Sequence, residues 1–148
     1  MKKYILLLII ALLAGCSNNN DEKAKAENEV EYTKENYLVK TANDIREIRT
    51  AHDELIEYLV DEEEPVKVSI TLMDISIAAS DQSYKLPGTE SMEFDLIKKD
   101  LQGVQSFVDE KYKVFSEQKE LDKLALNETI TKLSTLIEKL ETDFESIK

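Results

Sequence analysis

Glycine, proline and tryptophan are scarce in this sequence, which has three, two and none of them in 148 residues. All-β folds and phosphate-cradling α/β enzymes use glycine freely at turns, so a chain this poor in it and rich in Leu, Ile, Lys and Glu points to long helices. Cysteine occurs once, at Cys16, which excludes an intramolecular disulfide and a thiolate metal site. Histidine also occurs once, at His52. Any Ser-His-Asp or Cys-His triad would have to be built on it, and no G-x-S-x-G elbow or second cysteine supplies a nucleophile. Basic residues number 19 against 31 acidic ones, a net charge of -12. Phosphate binding needs a basic face, so nucleic acid is disfavoured as a partner, and so is a direct grip on anionic lipid headgroups.

What is present begins at the first residues. Met1-Lys2-Lys3-Tyr4 is a basic start, and Ile5 to Leu13 is an unbroken apolar run of nine. That pattern matches a secretory signal peptide, and the run is too short to span a bilayer as a mature helix. Leu13-Ala14-Gly15-Cys16 follows and resembles the lipobox of bacterial lipoproteins. The resemblance implies that the Cys16 thiol receives a diacylglyceryl group. It also implies that the peptide is cut between Gly15 and Cys16, leaving a lipidated first residue. One acyl chain holds a protein at a membrane marginally, whereas two chains, at ~0.8 kcal/mol per buried methylene, make the attachment durable. Loss of Lys2 and Lys3 with the label would take the net charge from -12 to -14. Anything holding such a chain at a membrane must therefore be apolar.

The expected organisation is a cleaved label over residues 1–15, a lipidated cysteine and polar tether over 16–29, and one helical domain over 30–148. Ser17 to Asn28 has no apolar face at any period. As flexible coil, about a dozen residues give an end-to-end distance of roughly 20 Å. From about Val30 to Val60 apolar residues recur at helical spacing, with Leu38, Ile45, Leu55 and Leu59 at the centre of the stripe and Ile48, Ile56 and Val60 widening it. The acidic run Asp61 to Glu64 ends this helix, and Pro65 is favoured at the first position of the next. Val66 to Ala79 alternates like a strand at its start. Yet Val66, Ile70, Met73 and Ile77 fit one helical face, and Val68, Leu72, Ile75 and Ala79 an adjacent one. No second strand is in sight to pair with it, so the expectation is a short, mostly buried helix.

Ser80 to Glu90 is a loop marked by Pro87-Gly88. Beyond it Phe94, Ile97, Leu101, Val104, Val108 and Phe115 follow a seven-residue repeat, flanked by Phe107, Tyr112 and Val114. Gly103 inside this stripe weakens the helix and is expected to mark close contact with a neighbour. Ser116 to Glu120 has no apolar residue, so the chain must turn or change register before Leu126. From there Ile130, Leu133, Ile137, Leu140, Phe144 and Ile147 carry the stripe onward, with Asn127 expected to cap the helix start. The fold class is thus all-α: a small antiparallel helical bundle of three long helices plus one short apolar helix. A single extended coiled coil is the other architecture, but the Val66 to Ala79 helix is too apolar to be left uncovered.

Candidate functional residues are few. His52 lies seven residues after Ile45 and seven before Leu59, on the apolar stripe, where a hydrogen-bonded bundle histidine is expected rather than a ligand or an acid-base group. The acidic run Asp61 to Glu64 lacks the alternating ligands and central glycine of a calcium loop and reads as a solvated helix junction. No catalytic, cofactor-binding or metal-ligating set is expected. Tyr84, Leu86 and Pro87 on the loop, with Tyr32 and Tyr37 near the tether, are either partner contacts or residues folded back over the end of the bundle. The expected function is that of a lipid-anchored, non-enzymatic binding or interaction protein on the outer face of a bacterial membrane. In size and architecture it resembles the small helical lipoproteins that serve as immunity or phage superinfection-exclusion factors, envelope-complex accessories or cell-wall-associated proteins. The alternative is an enzymatic or small-ligand-binding envelope lipoprotein with a pocket in the bundle near His52.

Overall fold

The computed structural model describes residues 33–61, 64–80 and 91–148. Helix α1, Lys34–Asp61, has 28 residues without a Gly or Pro to break it. Thr33 starts it: its side-chain oxygen accepts from the Asn36 amide at 3.3 Å and its carbonyl from the Tyr37 amide at 3.0 Å. The buried face of α1 is rotated from the expected one. Ile48 and Leu55 are fully buried, Leu38 and Leu59 are only partly so, and Ile56 and Val60 face outward. The reason is tertiary, since α1 has two helical neighbours and the angle between them selects which part of a broad apolar stripe is covered.

Helix α2, Pro65–Ala79, has Pro65 in its first turn as expected, and Asp61 is the last residue of α1. The Val66 to Ala79 segment is a helix and not a strand. The expectation that it is mostly buried needs correction. Val68, Leu72, Ile75 and Ala79 are fully buried, while Val66, Ile70, Met73 and Ile77 stand exposed. Among the described residues only α1 and a third helix flank it, so one of its two apolar faces has no neighbour among the described helices.

That third helix, α3, runs Ser91–Ser116 and buries all six residues of its heptad stripe: Phe94, Ile97, Leu101, Val104, Val108 and Phe115. Gly103 does not mark a close contact. A methyl group added there would meet nothing within 4 Å. Helix α4, Lys123–Glu145, buries Leu126, Ile130, Leu133, Ile137, Leu140 and Phe144, as its pattern predicts. Its cap is Asp122, whose Oδ1 accepts from the Ala125 amide at 3.0 Å. Asn127 is therefore an exposed residue inside the helix, not its cap. The helix starts early because Leu121 and Ala125 already pack on the core. The apolar gap after Ser116 is a turn, closed by the Gln118 amide on the Phe115 carbonyl and by Gln118 Oε1 accepting from the Asp122 amide.

Each helix packs against the next and α4 packs back on α1, giving a four-membered ring around one core. Arg49 meets Glu141 and His52 meets Ile130, so α1 and α4 are antiparallel. The link from Asp100 to Lys139, with Phe115 near Ala125, shows the same for α3 and α4. The short connection from Asp61 to Pro65 makes α1 and α2 antiparallel too. Burying each Leu, Ile or Phe contributes about 1.5–3 kcal/mol of transfer free energy, which chain entropy largely offsets. One end of the ring is plugged by Tyr37 of α1 against Phe94 of α3, edge to face with centroids 4.5 Å apart.

Candidate functional site

Cys16 and Gly15, the residues on which lipidation and cleavage are expected, lie outside the described residues, as do Tyr84, Leu86, Pro87, Tyr32, Glu62 and Glu63. Tyr37 is described and is a packing residue, 2% exposed. Burial pushes its hydroxyl above the ordinary tyrosine range, with Asp44 and Asp95 adding to the effect and a hydrogen bond with Thr41 opposing it.

His52 is buried, 3% exposed, on the α4-facing side of α1. Its Nε2 lies 3.3 Å from the Ile130 carbonyl, which can only accept, so this nitrogen carries a proton and donates. Nδ1 points toward the Asp53 carboxylate at 3.5 Å, beyond good hydrogen-bond length. The ring thus ties α1 to α4 from within the core, the bundle-histidine role expected from its place on the stripe.

Two polar clusters that the sequence did not suggest join helices at the surface. Arg49 grips Glu141 with two parallel bonds across α1 and α4, and Glu141 holds the guanidinium above its ordinary range. Lys139 on α4 bonds both Asp100 on α3 and Asp143 one turn on, the latter at 2.8 Å. Burial, and Asp143 beside it, raise Asp100 above the usual carboxylate range although Lys139 opposes them. Asp143 is held below that range by the Lys139 ammonium. The four-residue spacing of Lys139 and Asp143 was legible in sequence, but Asp100 is supplied by another helix. Among the described residues, no three His, Cys, Asp or Glu side chains converge on a metal position.

Among the described residues, open grooves run between helices, three of which bear on the site. One of about 390 Å³ lies between α1 and α2, floored by Ala51 and Ala78 and edged by Arg46, Glu54 and Asp74. One of about 250 Å³ lies between α3 and α4, between Phe107 and Thr129. A third, of about 510 Å³, lies between α1 and α4, lined by Ile45 and Phe144 among others. Arg46, Arg49 and Lys148 edge it, but Glu141 and Glu145 stand beside them, so it has no strong charge of either sign. His52 lines none of the three. Among the described residues, no helix is long and apolar enough to cross a membrane.

The feature with the clearest capacity to recognise another molecule is the outward face of α2. It is an uninterrupted row of large apolar side chains on a rigid helix, a type of surface that water does not favour leaving open. Set against known proteins, the chain matches no family model, no curated protein and no solved structure.

Proposed function

We propose that this chain is a bacterial lipoprotein, held at the extracytoplasmic face of the cell membrane by a diacylglyceryl group on Cys16, whose helical bundle is a non-enzymatic binding module for an envelope partner. The observation that carries the reading is the run of basic start, nine apolar residues and Leu13-Ala14-Gly15-Cys16. With a net charge near -14 after cleavage, an apolar anchor is the physically sensible way to keep the domain at a membrane. A protective role of the immunity or phage-exclusion kind is the narrower form of the proposal, resting on size and architecture. The enzymatic or ligand-binding alternative near His52 is less favoured, because that ring is packed against Ile130 and lines none of the grooves above.

The test is metabolic labelling with palmitate in cells making the full chain. Label should enter the chain, and Cys16→Ala should abolish labelling and move the protein out of the membrane fraction. An unlabelled chain whose Cys16→Ala form fractionates as before would overturn the anchoring claim. For the narrower form, deletion should alter sensitivity to a specific phage or bacteriocin, and an unchanged challenge panel would count against it.

A further inference from the structure

On α2, Val66, Ile70, Met73 and Ile77 are 54%, 51%, 44% and 60% exposed, whereas Val68, Leu72, Ile75 and Ala79 on the other side are fully buried. The exposed four are spaced by four, three and four residues, the spacing of a coiled-coil seam, and span about 16 Å of helix. We propose that this seam is the contact surface for a second copy of the chain, two α2 helices packing antiparallel about a two-fold axis.

Charge and register choose that occupant. Helix α2 has only Lys67 and Asp74 as charged residues, so its own charges cancel, in a chain of net charge -12. A second copy therefore meets no block of like charge from the facing helix. Lys67 and Asp74 are one heptad apart on the same edge of the seam, each directly following a seam residue, Val66 and Met73. An antiparallel two-fold pairing layers Val66 on Ile77 and Ile70 on Met73. It brings Lys67 of each copy alongside Asp74 of the other, offset by about 3 Å along the axis, within reach of a lysine stem. A parallel two-fold pairing would put the charged edges of the two copies on opposite sides of the seam, where Lys67 and Asp74 could not meet. Asp74 is exposed and makes no ion pair among the described residues, and Lys67, which also interacts within its own chain, contributes a second contact. This self-matching is what an isologous interface requires, because the same patch must complement itself. A four-residue seam falls short of the roughly 800 Å² per partner of a standard interface, so the dimer is weak and concentration-dependent. The proposal does not depend on the lipid at Cys16.

The test is photo-crosslinking of the full chain in cells, with a benzophenone amino acid at Ile70 or Met73 and, as control, at the exposed Lys132. Positions 70 and 73 should give an adduct of twice the chain mass containing this chain alone by mass spectrometry, and position 132 should not. Asp74→Lys should lower the adduct about five- to thirtyfold, since two attractive exposed pairs become repulsive. The double swap Lys67→Asp with Asp74→Lys should restore it. Circular dichroism of each variant checks that the helices persist, and Ile77→Glu provides a second disruption on the exposed face. Adducts with other polypeptides, no adduct from a folded chain, or a dimer indifferent to charge reversal would each overturn the proposal.

Discussion

Replacing Gly103 with alanine should stabilise the bundle. The residue sits in the interior of α3, exposed, between the buried Leu101 and Val104, and a methyl added at its Cα meets no atom within 4 Å. Nothing is then lost in packing. What changes is backbone freedom, because glycine in a helix interior is about 0.8–1.0 kcal/mol less favourable than alanine, much of it through the entropy of the unfolded chain. For a domain of about 115 residues, an unfolding entropy near 2.1 cal/mol/K per residue converts this to a rise in Tm of roughly 3–4 °C. Thermal melts followed by circular dichroism should show the rise. Urea titration should show a higher midpoint with an unchanged slope, since the surface exposed on unfolding is the same. An unchanged or lower Tm would refute the reasoning. It would mean that the added methyl is resisted, as the sequence-based expectation of a close contact at Gly103 requires.

Asp122→Ala should cost about 1 kcal/mol by removing the cap on the Ala125 amide, while Asn127→Ala should change stability by less than about 0.5 kcal/mol; denaturant midpoints of the two variants separate the assignments. His52→Ala should destabilise by about 2–4 kcal/mol through the cavity between α1 and α4, and a loss below 1 kcal/mol in the same titration would show that the ring is not part of the packed core. Asp100 has a folded-state pKa above its ordinary value, so the folded chain binds its proton more tightly than the unfolded one. Its contribution is most favourable below the ordinary aspartate range and is lost as pH rises through the raised value. Asp100→Asn should accordingly raise Tm at neutral pH, with the gain falling away as pH drops below the ordinary aspartate range; a Tm unchanged or lowered at neutral pH would count against the raised pKa. Asp143, held low by Lys139 and by its hydrogen bond with Asp100, works in the opposite sense.

Much of the fold was legible because helical periodicity is a local property. The heptad of α3 and the four-three spacing of α4 each named the residues that are buried, since both helices present a narrow stripe to the core. The turn after Ser116 followed from the loss of that stripe. Capping was less legible: Asn127 and Asp122 are both good N-cap residues, and the choice fell to where Leu121 and Ala125 could reach the core. The clusters of Arg49 with Glu141 and of Asp100 with Lys139 were invisible, as each joins residues far apart in the chain. For the candidate site, His52 was placed correctly by its seven-residue spacing to Ile45 and Leu59, and its partner, the Ile130 backbone, carries no sequence signal at all.

Helix α2 marks the division most clearly. Its sequence by itself determined that it is a helix with two apolar faces, since Val66, Ile70, Met73 and Ile77 share one period and Val68, Leu72, Ile75 and Ala79 the next. Which face would be buried could not be read there, because both are equally apolar. The tertiary arrangement decided it: a ring of four helices gives each member two flanking neighbours, enough to cover one broad face. The second apolar row of α2 therefore looks outward, uncovered by any other described helix.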